Sequence, residues 1–201
     1  IIAEQLDAAV ALKPDLVTIS AGGNDVIRPG TDPDAIAKRF EYAVSRLGAT
    51  GATVVVFTGV DVGFSPVFRQ IRGKVAIYNE NVRAIAERHD AIVADMWALK
   101  AVQDSRFWAD DRLHPNALGH HEFARMVLRA LNVPGTLTPM QPGPVPATTW
   151  RQARAEDLVW AREYLVPWVL RRIRHVSSGD NLSAKRPEPV PFGTPLDPDA
   201  S

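Results

Sequence analysis

Along the first two thirds of the chain the apolar positions switch repeatedly between helical and extended spacing. Ile2, Leu6, Ala9, Val10 and Leu12 recur on one helix face and predict a helix over 1–13, which Pro14 ends. Residues 15–20 are a short β-branched run that reads as a buried strand. Gly22 and Gly23 break it, and two glycines directly after a strand mark a tight turn or a close backbone approach. Thr31-Asp32-Pro33-Asp34 starts a second helix running to about Leu47, with Ile36, Phe40, Ala43, Val44 and Leu47 as its buried stripe. Residues 53–58 form a second strand, 59–73 have no period and read as a long loop, and 75–89 are helical through Ile77, Tyr78, Val82, Ile85 and Ala86. A third strand follows over 91–96. A segment with Trp97, Leu99, Phe107 and Trp108, core or pocket wall, leads to a helix over 116–131 with Leu118, Phe123, Met126, Val127 and Leu131 toward the core.

Strands alternating with helices predict an α/β fold: a parallel sheet with helices on both faces, a three-layer α/β/α sandwich. The loops at 22–25, 59–73 and 111–114 follow strands, so they gather at the carboxyl edge of the sheet, where such folds bind ligands.

Past Asn132 the pattern changes. Residues 134–149 are rich in Pro, Gly and Thr and read as a linker after a domain over 1–133. Residues 150–176 predict a helical extension that Pro167 kinks or splits. It carries Arg151, Arg154, Arg162, Arg171, Arg172 and Arg174 against Glu156, Asp157 and Glu163. A membrane-surface or partner-binding helix is one reading; a helix laid over the domain with solvated arginines is preferred. Pro187, Pro189, Pro191, Pro195 and Pro198 predict poor order over 177–201.

Composition removes several function classes. The 201 residues carry equal numbers of Lys+Arg and Asp+Glu, 23 each, so no global charge argues for a nucleic-acid partner. Cysteine is absent, which excludes disulfides, thiolate metal sites and a cysteine nucleophile. No apolar run approaches the roughly 18 residues that span a membrane. The first residue is Ile1, with no export signal in view, so the chain reads as processed or truncated, and the cytoplasm is the expected compartment.

The candidate chemistry lies in two stretches. Asp110-Asp111-Arg112-Leu113-His114-Pro115-Asn116 places a carboxylate three residues before a histidine. A nucleophile needs a base to take its proton, and the base needs an acid to hold its tautomer; one Asp-x-x-His loop supplies both. The structural alternative is a helix start with Asn116 as N-cap and both side chains merely solvated. The second stretch is Gly22-Gly23-Asn24-Asp25 after the first strand.

Together these stretches resemble the blocks of the SGNH (GDSL-type) esterase and lipase family, over about residues 1–133. The resemblance implies a flavodoxin-like sheet and hydrolysis of a small-molecule or lipid ester without a cofactor. It implies His114 as base, Asp111 as its orienting acid, Asn24 in the oxyanion hole, and Gly22 and Gly23 beside the substrate. The family's Gly-Asp-Ser nucleophile block and its oxyanion-glycine block have no counterpart, since Gly179-Asp180 is followed by Asn181. The resemblance therefore implies a member without its first strand, its serine supplied upstream of residue 1, and neighbouring strand edges left unpaired and aggregation-prone.

Other candidates have plainer readings. Ser20 suits a strand end and Ser65 a turn beside Pro66, while Ser45, Ser105, Ser177, Ser178 and Ser183 have no supporting context. His120 and His121 point in different directions on a helix, against a metal site with His114 and Asp110. Asp25 reads as a local turn brace, and Asp61 and Asp95 as structural acids. Two competing functions stand beside the esterase: a catalytically silent fragment that binds a ligand between Asn24 and His114, and an interaction module built on the C-terminal helix.

Overall fold

The computed structural model describes residues 2, 4–135, 137–145, 147–173, 188–191 and 193. The chain divides into two units, Ile1–Pro146 and Ala147–Ser201. In the first, the elements run α1 (Leu6–Ala11), β1 (Leu16–Ile19), α2 (Gly23–Val26), α3 (Pro33–Gly48), β2 (Thr53–Phe57), α4 (Arg72–Arg88), β3 (Ile92–Ala94) and α5 (Ala117–Ala130). The sheet is parallel with order β1-β2-β3: Leu16 pairs with Thr53, and Val55 with Ile92.

Strand alternation builds the layers. Val54 and Val56 of β2 face one way, into a core with Phe40, Val44 and Leu47 of α3 and Val82 and Ile85 of α4. Val55, between them, faces the other way, toward Ala94 of β3 and Met126 of α5, with Phe123 and Val127 alongside. Val55 and Val56 are fully buried on opposite faces, so both sides of the sheet are covered and the unit is an α/β/α sandwich. Among the described residues β2 is central, whereas β1 pairs on one side only, and Leu16 is 45% exposed.

The element order is as expected; several bounds differ. The first helix is confined to Leu6–Ala11. The Gly22–Asp25 stretch, expected as a turn, is a one-turn helix whose N-cap, Gly22, has φ 82°. The 59–73 loop contains two 3₁₀ turns, Val62–Phe64 and Phe68–Ile71, and α4 starts at Arg72 rather than Val75. These turns have no long apolar repeat, so periodicity could not reveal them.

Within the segment read as a linker, the carbonyls of Leu137, Thr138 and Gly143 accept hydrogen bonds from Arg125, His121 and Arg106. The second unit contains α6 (Trp150–Trp160), a π turn (Ala161–Leu165) and α7 (Val166–Ile173). A Thr149/Gln152 capping box starts α6. Pro167 has no N–H for the carbonyl four residues earlier, and the helix answers with the π turn just ahead of it. The poor order expected of 177–201 falls almost wholly outside the described residues.

Candidate active site

The segment after β3 folds back on itself before α5 begins. Trp108 and Pro115 form an isolated antiparallel bridge. Beside it, the Ala109 N–H donates to the His114 carbonyl (2.8 Å) and the Asn116 N–H to the Phe107 carbonyl (3.1 Å). The enclosed turn is tight enough to hold Arg112 at φ 57°. Asp111 organises its interior. One carboxylate oxygen accepts the backbone N–H groups of Leu113 and His114, both at 2.9 Å, and the other lies 2.5 Å from His114 Nδ1. A carboxylate has no proton to give, so Nδ1 carries the hydrogen of this bond and Nε2 is the ring nitrogen turned away from it. Burial pushes the Asp111 carboxyl upward, but the His114 imidazole and the two backbone N–H donors outweigh it and hold the carboxyl below its ordinary value of 3.8. The His114 side chain is 71% exposed, against 24% for Asp111. Asp111 is anchored and the His114 ring is presented to solvent.

Asn116 fastens this loop to α5. Its Oδ1 caps the helix by accepting the Leu118 and Gly119 N–H groups, and its Nδ2 donates to the carbonyls of Arg106 and Trp108 at 2.8 and 3.0 Å. A Cβ on Gly119 would lie 2.3 Å from the Phe107 carbonyl oxygen, so only glycine admits this approach. Trp108 donates its indole N–H to the Val102 carbonyl and lies 5.9 Å from the Phe64 ring.

Asn24 lies at the carboxyl end of β1, exposed in the first turn of α2. Tyr78 of α4 braces that turn: its hydroxyl donates to the Ala21 carbonyl at 3.1 Å, and a Cβ on Gly22 would lie 2.3 Å from the same oxygen. Burial and the nearby Asp25 charge push the phenol well above its usual range, so the hydroxyl keeps its proton. Ile2, Ile19, Ala21, Gly22, Phe40 and Ala43 contribute to a cavity of about 260 Å³ beside this turn. The Asn24 turn follows β1, an outer strand, while Trp108 beside the Asp111–His114 loop packs on Phe64 in the segment after the central β2.

Asp61, Asp95 and Asp25 are each held by a neighbouring side chain. Asp61 is buried and takes Arg72 at 2.6 and 2.9 Å, while the Arg72 guanidinium lies 5.2 Å from the Trp97 ring centre. The Arg72 hydrogen bonds hold the Asp61 carboxyl below its ordinary value against the opposing effect of burial. Asp95 accepts from Arg83 and Thr58, and Asp25 meets Arg28 at 3.4 Å. Ser65 accepts the Phe68 N–H as a turn residue, and Ser20 is exposed beyond β1. His121 donates Nε2–H to the Thr138 carbonyl. Among the described residues no three His, Asp or Glu side chains are grouped to hold a metal. Sequence reading missed Tyr78 as a brace because it sits 57 residues from Ala21 and looks like one more member of an apolar stripe.

The family model for GDSL-like lipases and acylhydrolases matches residues 1–122. The chain belongs to the GDSL-like lipase/acylhydrolase family. Several solved structures share its fold. The crystal structure of TesA superposes with a TM-score of 0.53 at 22% identity, over 63% of this chain and 68% of that one. LAE5, an α/β hydrolase enzyme from the metagenome of Lake Arreo in Spain, gives 0.54 at 26%, over 65% and 66%. Axe2, an acetylxylan esterase from Geobacillus stearothermophilus, gives 0.51 at 22%, over 65% of each chain. This family member thus spans about two thirds of the length of these solved structures. No curated protein matches it.

Proposed function

We propose that this GDSL-family chain provides the acid–base and oxyanion half of a carboxylic-ester hydrolase, with the nucleophilic serine supplied from upstream of residue 1. The observation that carries the reading is the Asp111–His114 pair: Nδ1 is held by the carboxylate at 2.5 Å while the ring stands 71% exposed. A serine reaching Nε2 would lose its proton to His114 as it attacks the ester carbonyl, and His114 would return that proton to the departing alcohol. Asp111 would hold the ring and stabilise the imidazolium. The Asn24 amide would donate to the developing oxyanion, with Gly22 and Gly23 leaving the backbone open to the substrate.

The unpaired edge of β1 supports an additional parallel strand there. That edge leads to the Asn24 turn, and the cavity lined by Ile19, Ala21 and Phe40 lies beside it. The test is intact-mass analysis after a serine-reactive fluorophosphonate, on this chain and on a polypeptide extended upstream. Labelling only of the extended form, abolished by His114→Ala, is the expected result. Labelling of the present chain would move the nucleophile within it, with Ser20 and Ser65 the first positions to map. Labelling of neither would overturn the esterase reading.

A further inference from the structure

The helix of the second unit carries two unlike stripes. Trp160, Tyr164 and Trp168, four residues apart, are half-buried. On the other side Leu158, Val166 and Leu170 are 73%, 51% and 45% exposed, and Trp150, 71% exposed, stands about 80° round from Leu158. The π turn aligns this second stripe. In an uninterrupted α-helix Val166 would lie about 80° round from Leu158. The extra residue in the turn sets α7 back by about 100°, which brings Val166 and Leu170 onto the Leu158 face.

Arginines border that face. Arg151 and Arg162 sit seven and four residues from Leu158, and Arg154 precedes it by four, with its guanidinium 5.9 Å from the Trp150 ring centre. All three are exposed. Glu156 lies about 160° round from Leu158, on the far side. Leu158, Val166, Leu170 and the three arginines thus share one surface; Trp150 and Asp157 lie together about 80–100° to one side of it, and Glu156 on the far side. A long arginine stem lies along apolar surroundings while its head meets an anion, and tryptophan favours the boundary between water and hydrocarbon. A second copy of this face would set arginine against arginine. No helix among the described residues is long and apolar enough to cross a membrane.

We infer that α6 and α7 form an interfacial helix that lies on an anionic lipid bilayer, with Leu158, Val166 and Leu170 in the acyl boundary and Arg151, Arg154 and Arg162 at the phosphates. This inference does not depend on the hydrolase reading; it concerns a separate unit and is read without any turnover.

The experiment is co-sedimentation of the full chain with vesicles of phosphatidylcholine alone and of phosphatidylcholine mixed with phosphatidylglycerol. Binding to the mixed vesicles at least roughly tenfold tighter than to neutral ones, and weakening with added salt, is expected. Arg151→Glu/Arg154→Glu/Arg162→Glu should lower it by roughly a hundredfold. Leu158→Ser/Leu170→Ser should lower it by at least roughly tenfold with helicity by circular dichroism retained. Equal binding to both vesicle types, or none, overturns the inference. So does undiminished binding by the arginine variant. Lipid-independent self-association that Leu158→Ser/Leu170→Ser abolishes would assign the face to a second copy, and capture by an acidic polypeptide without vesicle binding would assign it to a protein partner.

Discussion

The two halves of the candidate site are held by opposite means. The Asp111–His114 loop is built almost entirely from neighbours in sequence: Asp111 accepts from residues two and three positions ahead, and Asn116 spans from Arg106 to Gly119. The Asn24 turn depends on a residue far along the chain, the Tyr78 hydroxyl bound to Ala21 and filling the space a Gly22 side chain would need. A locally closed loop keeps its geometry if the surrounding sheet loosens. A turn held from another helix keeps it only while α4 stays docked. The Asp111–His114 loop is therefore the robust half, and the Asn24 turn the half that reports on the state of the core.

The largest expected effect separates chemistry from structure in the robust half. Asp111→Asn in the serine-bearing polypeptide should lower kcat by about 10⁴, because the amide favours the wrong imidazole tautomer, with thermal stability little changed. A loss below tenfold would remove Asp111 from the mechanism. Asn24→Ala should cost about 10²–10³ in kcat with KM nearly constant, the sign of an interaction made only in the transition state.

Gly22→Ala probes the fragile half. It forces a side chain to φ 82° and onto Tyr78, and should destabilise the first unit by about 2–4 kcal/mol in urea unfolding. Tyr78→Ala removes both the hydroxyl and the ring carbon in its way, so the double variant should lose less than the sum of the two single losses; strict additivity would show that the clash is relieved elsewhere. Asn116→Ala strips a cap and leaves two carbonyls without their donor, for a smaller loss of about 1–3 kcal/mol and a drop in activity through the loop.

The smallest effect is on acid stability. Asp61 and Asp111 both have folded-state values below the ordinary 3.8. A depressed carboxyl contributes stability that is complete above the unfolded value and is lost as pH falls through the folded one. Urea midpoints should therefore be flat above about pH 5 and decline below about pH 4, and Asp61→Asn should flatten that decline.

Much of this was legible in the sequence, for reasons that are local. Alternating periods gave the helix–strand order, since burying one face dictates spacing whatever the partner is. Asp32 and Asn116 were legible as helix starts because capping acts over two or three residues. The spacing of Asp111 and His114 sufficed to suggest their pairing, as the bond closes within a single turn. The 3₁₀ turns, the early start of α4 and the π turn before Pro167 were not legible, because each is a compromise between backbone hydrogen bonding and packing that leaves no periodic trace.

The sequence by itself determined an α/β chain with an Asp-x-x-His loop and a Gly-Gly-Asn-Asp turn, because periodicity, capping and turn chemistry act between neighbours. Only the tertiary structure decided that Val55 and Val56 look into different cores, that Tyr78 closes on Ala21, and that β1 stands at the edge of the sheet. Each of those depends on which distant segment comes to lie alongside, and that is set by the packing of the whole sandwich rather than by any stretch of the chain.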